Sequence, residues 1–235
     1  MKTELIVALD FSNGDQALHC MQVLKSSNCI FKVGLELFSV VGPHWVKART
    51  SEGYRIFLDL KFYDIPHTVS RAALQAQLMG VDMFTLHLSG GEAMIRETRQ
   101  ALSESDLKRP KILGVTVLTS FSEDEWSKTV HTISGKPSSI SSSVSSLFQN
   151  AKSWGVDGVV CSPLELPLLK NIDTNLYSVV PGVRPQGSDA GDQARIATPL
   201  QAAKAGASAI VVGRPITQSD SPALVVGQIL KDLGY

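Results

Sequence analysis

Short apolar runs alternate with amphipathic stretches along the whole chain. Runs rich in Val, Ile, Leu and Phe are typical of parallel strands that are buried on both faces. Strands are predicted at 5–9, 30–34, 55–61, 83–87, 112–118, 158–161, 177–180 and 209–212. Between these runs apolar residues recur at helical spacing, as Ala17, Met21 and Leu24 do in the first predicted helix.

This order of elements predicts an α/β fold, a single (β/α)8 TIM barrel of eight parallel strands. The 235 residues are close to the usual size of one such barrel. Glycines that precede strands, such as Gly80, Gly155 and Gly206, are typical of helix ends. The serine-rich stretch 138–146 runs into a helical pattern instead of a linker, so residues 1–235 are expected to form one domain.

Composition and charge argue against several classes of protein. Lys and Arg balance Asp and Glu at 22 each, which argues against bulk electrostatic binding to nucleic acid or an anionic membrane. The longest apolar runs are too short to span a bilayer, and the first residues lack the apolar region of a signal peptide. Cys20, Cys29 and Cys161 match neither a disulfide framework nor a zinc motif, so a reducing, cytoplasmic location is expected.

Charged residues mark the predicted C-terminal ends of the first three strands. Alternate residues of a strand share a face, so Asp59 and Lys61 are expected to point into the barrel together. Asp10, Lys32 and Asp64 are expected to join them at the end where barrel enzymes carry out their chemistry. Burying so many charges for stability alone would cost too much desolvation, so a catalytic site is favoured over a structural ion pair.

The loops after the seventh and eighth strands predict a phosphate site. Pro215 suits the first position of a helix, which places Gly213 and Arg214 at a helix N-terminus whose N–H groups attract anions. The loop after the seventh strand is long and polar, so it can close over a ligand. Arg184, Gln193 and Arg214 converge from these two loops, which indicates a phosphorylated substrate above the charged residues.

Together these segments resemble the orotidine 5'-monophosphate decarboxylase suprafamily over essentially the whole chain. The pattern Asp59-x-Lys61-x-x-Asp64 alone is weak evidence for this family. Its combination with the other matching segments is specific. The other matching segments are Ala8-Leu9-Asp10, Lys32-Val33-Gly34, Leu118-Thr119-Ser120, Pro181-Gly182-Val183-Arg184 and Val212-Gly213-Arg214. The length is similar to the bacterial single-function form. The resemblance implies a lyase without metal or cofactor that converts orotidine 5'-monophosphate to UMP and CO2, the last step of de novo pyrimidine biosynthesis.

The resemblance also implies roles for the matched residues. Lys61 would be the general acid that protonates the ring carbon after CO2 leaves. Asp59 would lie beside the substrate carboxylate and orient Lys61. Lys32 would contact the ribose and hold the charged network, Asp10 would bind the ribose hydroxyls, and Thr119 would border the pyrimidine.

The remaining implied roles concern the phosphate and a second subunit. The phosphate end would be held by residues of the last two loops, namely Arg184, Gln193, Gly213 and Arg214. A homodimer is implied in which the catalytic Asp64 reaches into the neighbouring subunit's site. Ile65 and Thr68 would contact the substrate at that shared boundary.

Three alternatives remain open at this point. A magnesium-dependent sugar-phosphate decarboxylase or synthase of the same suprafamily would carry an acid where Lys32 stands, and an ammonium cannot ligate Mg²⁺. A Schiff-base aldolase needs a neutral lysine, whereas Lys61 between two aspartates should stay charged. A barrel that only binds a phosphorylated ligand would not need the full charge network.

His87, which ends the fourth strand, is interpreted as a packing or supporting residue.

Overall fold

The computed structural model describes residues 2–172, 175–185 and 197–235. In these ranges, parallel strands pair in chain order and β8 pairs with β1, so the sheet closes into a barrel. The strands are β1 Glu4–Ala8, β2 Ile30–Gly34, β3 Arg55–Phe62, β4 Met83–His87, β5 Lys111–Val115, β6 Gly158–Val160, β7 Tyr177–Val180 and β8 Ala209–Val212. The predicted (β/α)8 barrel is confirmed.

Helices follow the strands and cover the outside of the barrel. They are α1 Gly14–Val23, α2 Leu35–Ser51, α3 Pro66–Leu78, α4 Gly91–Ser103, α5 Glu123–Ser134, α6 Ile140–Trp154, α7 Leu166–Ile172, α8 Pro199–Lys204, α9 Arg214–Thr217 and α10 Pro222–Asp232. The serine-rich stretch leads into α6, where the Ser139 hydroxyl accepts a bond from the Ser142 N–H group. Gly155 ends this helix at φ 110°, a backbone conformation that favours glycine, as the sequence predicts.

The core has two layers, one inside the barrel and one between the strands and the helices. The inner layer consists of Ile6, Ala8, Ile30, Phe57, Met83, Leu113, Val179, Ala209 and Val211. Leu58 belongs to the outer layer, so β3 alternates between the two layers up to Asp59. Because side chains fill the interior of the barrel, an active site is expected at the C-terminal ends of the strands.

Strand β3 departs from regular pairing close to its C-terminal end. Leu58 pairs with Phe84 and Phe62 pairs with Leu86, so the register shifts between these two pairs. Lys61 lies within this bulge at φ 51°, in the left-handed region. The Lys61 ammonium still reaches Asp59, as predicted, although the bulge interrupts the regular alternation from which the shared face was expected.

Four strands have bounds that differ from the predicted ones. Strand β3 ends one residue later than predicted and β6 ends one residue earlier, and β1 and β5 differ as well. Strand β1 is shifted by one residue, and β5 ends at Val115 instead of continuing to 118. At Thr116 the hydroxyl donates to the Val160 carbonyl, 3.1 Å away, as the chain leaves the strand. Leu118 and Thr119 consequently lie beyond β5, where they can line a site.

Asp157 ties together the N-terminal ends of β5 and β6 and helix α4. Its carboxylate accepts bonds from the Arg109 guanidinium at 2.6 and 2.8 Å, from Arg99 at 3.1 Å and from the Ile112 N–H group at 2.8 Å. Burial alone would raise the pKa of Asp157, but these hydrogen bonds and the Arg109 charge hold that pKa below its usual range. The ionised carboxylate therefore stabilises the end of the barrel opposite the charged residues.

The three cysteines are buried, and no disulfide joins them. Burial raises the pKa of Cys20 to about 11 and that of Cys29 to about 12. These thiols are therefore protonated at neutral pH and poorly reactive. In the part of the chain that the structure describes, no helix has the length and apolar character needed to cross a membrane.

Candidate active site

Asp59 and Lys61 form a close ion pair at the C-terminal end of β3. The Lys61 ammonium lies 2.9 Å from Asp59 Oδ1 and 3.0 Å from Oδ2. The side chain of Asp59 is 14% exposed and that of Lys61 is 30% exposed, so both reach a partly enclosed space. A carboxylate that binds the ammonium through both oxygens fixes the position of the charge.

Two further charges extend this pair toward β1 and β2. Lys32 Nζ lies 2.9 Å from Asp10 Oδ1 and 3.9 Å from Asp59 Oδ2. The four residues Asp10, Lys32, Asp59 and Lys61, called here the charged cluster, therefore alternate in sign. The structure brings these four predicted site residues together as expected.

Thr85 on β4 also contacts the charged cluster, although sequence reasoning missed it. Its hydroxyl donates to Asp59 Oδ1 at 2.9 Å and accepts from the Lys61 N–H group at 2.9 Å. Thr85 is fully buried. A signal was available, because Thr85 shares the inward face of β4 with Met83 of the inner core and is the polar residue of that pair.

Two adjoining cavities open beside the charged cluster. One of about 180 Å³ is lined by Lys32, Phe57, Asp59, Lys61, Val115, Val117, Leu118, Thr119, Val160, Val179, Pro181 and Val211. A second of about 460 Å³ is lined by Ala8, Asp10, Lys32, Glu36, Pro181, Gly182, Arg184, Val211, Gly213, Arg214 and Gln218. Lys32, Pro181 and Val211 line both cavities. A ligand with a flat apolar part and an anionic part can therefore extend from one to the other.

The predicted phosphate residues border the larger cavity. Arg184 and Arg214 both line it, and Arg184 Nη1 also donates to the Val183 carbonyl at 3.0 Å. Gly213 precedes α9, and Pro215 takes the second position of that helix instead of the predicted first, which Arg214 occupies. Gln193 lies outside the described residues.

Asp64, Ile65 and Thr68 do not reach the charged cluster of their own chain. Asp64 is exposed, and its Oδ1 accepts a 2.7 Å bond from the Ile65 N–H group. Across the described residues, no ion pair within 4.0 Å involves Asp64. The expectation that Asp64 gathers with the other charges is wrong within one chain, because Asp64 lies beyond the end of β3. Ile65 is 66% exposed, and Thr68 lies exposed on α3.

His87 lies at the edge of the charged cluster, at the end of β4. Its ring packs at 5.5 Å from the ring of Tyr63. Burial and the nearby Lys61 charge lower the pKa of His87, and the Asp59 charge opposes them. His87 is therefore neutral at neutral pH and adds no positive charge beside Lys61.

The donors at this site suit an organic anion better than a metal ion. Among the residues placed by the structure, no three His, Cys, Asp or Glu side chains are grouped so that they could hold a metal. Asp10 and Asp59 each face a lysine ammonium instead. An ammonium donates hydrogen bonds and cannot act as a ligand.

Comparisons with known proteins agree with this geometry. Residues 3–229 match the family model described as Orotidine 5'-phosphate decarboxylase / HUMPS family. A protein of Pseudoalteromonas translucida named orotidine 5'-phosphate decarboxylase is 42% identical over 98% of this chain and 97% of its own. One of the same name from Legionella pneumophila is 40% identical over 99% and 100%.

The fold of a solved member is also similar. The crystal structure of orotidine 5'-phosphate decarboxylase from Lactobacillus acidophilus matches with a TM-score of 0.86 and 37% identity. The match covers 99% of this chain and 100% of that one. With the family model and two relatives that agree over nearly their full lengths, the chain belongs to the orotidine 5'-phosphate decarboxylase / HUMPS family.

Proposed function

We propose that this protein is an orotidine 5'-phosphate decarboxylase, in which residues 1–235 act as one domain that converts orotidine 5'-monophosphate to UMP and CO2. The observation that carries the proposal is the Lys61 ammonium, held 2.9 Å from Asp59 at the mouth of the smaller cavity. Family membership supports it. Lys32 argues against a magnesium-dependent relative, because a cation occupies the position where that relative would carry an acid.

The reaction follows from the placement of Lys61. When the bond between the ring carbon and the carboxylate breaks, CO2 leaves and the electron pair stays on the ring carbon. The Lys61 ammonium stabilises this developing negative charge more than it stabilises the substrate, which lowers the barrier. It then donates its proton to the carbon to give UMP and takes up a proton from solvent. No cofactor enters this scheme.

Asp59 and Lys32 set the electrostatics around that step. Asp59 fixes the Lys61 ammonium and lies beside the position of the substrate carboxylate. Lys32, between Asp10 and Asp59, holds the network and contacts the ribose, whose hydroxyls Asp10 binds. The partly enclosed surroundings of Asp59 and Lys61 strengthen these interactions because little water screens them.

Different parts of the substrate bind in the two cavities. The pyrimidine occupies the smaller cavity with Thr119 at its border, and the ribose phosphate extends into the larger one. Arg184, Gly213 and Arg214, with Gln193, bind the phosphate, because guanidinium groups pair well with phosphate oxygens. Binding energy from the phosphate end thereby positions the ring against Lys61.

The active unit in this proposal is a cytoplasmic homodimer. The exposed carboxylate of Asp64 reaches the neighbouring subunit's site, together with Ile65 and Thr68. Tyr63 and Ile65 are 62% and 66% exposed, and an apolar surface of this kind is typical of a subunit contact. Cysteines that are buried and not joined by disulfides suit a reducing compartment.

The test is a decarboxylation assay on the purified protein with orotidine 5'-monophosphate, with and without excess chelator. We expect UMP formation in both conditions. Lys61→Ala should lower kcat by at least about 10³-fold, since both charge stabilisation and proton transfer are lost. Lys231→Ala removes an exposed lysine from the last turn of α10 and should leave kcat unchanged.

Two results would contradict the proposal. Turnover that disappears in chelator would indicate a metal-dependent member of the family. A Lys61→Ala variant that retains wild-type turnover would remove Lys61 from its role as proton donor.

A further inference from the structure

The break in pairing between β3 and β4 leaves one β4 residue facing a widened stretch of β3. Pairing passes from Leu58–Phe84 to Phe62–Leu86, so Thr85 alone on β4 faces the stretch that contains Asp59 and Lys61. Backbone groups at such a bulge lose their regular partners and must bond elsewhere. The Lys61 N–H group bonds to the Thr85 hydroxyl.

The Thr85 hydroxyl satisfies two groups of the site at once. As an acceptor it holds the backbone of Lys61 at 2.9 Å, and as a donor it holds Asp59 Oδ1 at 2.9 Å. A hydroxyl can do both because it carries one proton and two lone pairs. Since Thr85 is fully buried, water cannot replace it without rearrangement.

The backbone of Lys61 makes this contact more important. Lys61 adopts φ 51°, which residues with a side chain rarely do unless their surroundings hold them there. Asp59 also bonds to the Lys61 ammonium, so Thr85 acts on the lysine through both its backbone and its ion-pair partner.

We propose that Thr85 is a positioning residue, whose hydroxyl holds the Lys61 backbone in the left-handed region and orients the Asp59 carboxylate that fixes the Lys61 ammonium. Thr85 does not line either cavity beside the charged cluster and so touches no substrate. Its removal changes the chemical step and leaves substrate binding nearly unchanged. This inference rests on the proposed decarboxylase function.

The first experiment compares Thr85→Val, which keeps the shape and loses the hydroxyl, with Thr85→Ser, which keeps the hydroxyl. We expect Thr85→Val to lower kcat on the order of 10- to 100-fold with KM within about threefold, because a small misplacement of Lys61 slows the reaction. Thr85→Ser should recover most of that loss. Equal kcat values for Thr85→Val and the wild type would overturn the proposal.

The control is Thr98→Val on α4. Thr98 is also fully buried, and its hydroxyl donates to the Met94 carbonyl at 2.7 Å, away from the site. Thr98→Val should therefore lose a buried hydrogen bond without losing activity. If Thr85→Val does not fold, Thr85→Ala and Thr85→Ser provide a second pair, because both lack the methyl group and only serine keeps the hydroxyl. Equal loss in that pair would assign the effect to packing and overturn the proposal.

A structural measurement separates this inference from the proposed function. In a crystal structure of Thr85→Val we expect Lys61 to leave the left-handed region or its ammonium to move beyond 4.0 Å from both Asp59 oxygens. An unchanged Lys61 would overturn the role of Thr85 whether or not the protein decarboxylates orotidine 5'-monophosphate. Failure of the wild-type assay, in contrast, would overturn the proposed function, and the crystal structure of Thr85→Val would still decide whether Thr85 positions Lys61.

Discussion

Gly34, at the end of β2, leaves the space that Lys32 needs. A Cβ atom at Gly34 would lie 2.8 Å from Lys32 Nζ and 3.6 Å from Asp10 Oδ1. The first of these separations is shorter than real Cβ atoms allow, and the atom that must move is the end of a flexible side chain. A substitution there would therefore displace the ammonium more than it would strain the fold.

We predict that Gly34→Ala lowers kcat/KM about 10- to 100-fold, because the Lys32 ammonium leaves its position between Asp10 and Asp59. Steady-state kinetics and thermal unfolding of the same preparation would test this. Gly227→Ala on α10, where a Cβ has nothing within 4 Å, is the matched control. The control should keep its activity. Its free energy of unfolding should rise by about 0.5–1 kcal/mol, since alanine favours the helix more than glycine does. Unchanged kinetics in Gly34→Ala would contradict this role of Gly34.

At the residue level, the sequence indicated charges more reliably than it indicated their contacts. Asp10, Lys32, Asp59 and Lys61 were found because charges at strand ends are unusual and share one end of the barrel. Thr85 was missed because a threonine in a strand is ordinary. Alternation could place it on the inward face of β4, but its contacts with Asp59 and Lys61 depend on a register shift that no local pattern reveals.

At the level of elements, alternation along the chain was sufficient to predict the strands and insufficient to predict the bulge. Hydrophobic periodicity reports which residues are buried, so β2, β4, β7 and β8 have the predicted bounds. The bulge in β3 depends on how that strand pairs with β4, and pairing is a property of two segments. Hydrogen bonds between elements, such as those of Asp157, likewise cannot be predicted from the sequence of a single segment.

We predict that Asp157→Asn lowers the free energy of unfolding at pH 7 by about 2–3 kcal/mol, because an amide cannot satisfy both arginines. The folded pKa of Asp157 lies below its unfolded value, so its contribution is present above the unfolded pKa and is lost as the pH falls through the folded pKa. The difference between wild type and variant should therefore shrink below about pH 4.

Denaturant unfolding between pH 7 and pH 3 measures this difference. Asp106→Asn, at an exposed position in the loop before β5, is the control and should match the wild type throughout. A difference for Asp157→Asn that stays constant with pH would mean that the ionised carboxylate is not the source of the stability.

At the level of the whole molecule, the barrel gathers the charged cluster within one chain and leaves Asp64 outside it. The sequence predicted the closed barrel well, because eight repeats of strand and helix admit few other arrangements. A site shared between subunits remains a prediction, since its geometry depends on a second chain. Asp64, flanked by exposed Tyr63 and Ile65, is the group that tests it.

We predict that mixing inactive Asp64→Ala and Lys61→Ala subunits restores activity. In a hybrid dimer one of the two sites receives both substitutions and the other receives neither, so random exchange restores up to about a quarter of wild-type activity. The assay follows UMP formation after the subunits have exchanged, with exchange verified by mass spectrometry of the intact dimers. Hybrid dimers without activity would show that Asp64 does not serve its neighbour's site.

The left-handed backbone at Lys61 costs stability at a position whose side chain is needed for activity. Glycine adopts φ 51° without steric penalty, whereas a lysine there costs on the order of 1 kcal/mol. A glycine at this position would relieve that backbone cost, but it would remove the proton donor and the ammonium that pairs with Asp59 at the same time. Stabilised versions of this protein are better sought at positions such as Gly227, where the backbone and the chemistry make no competing demands.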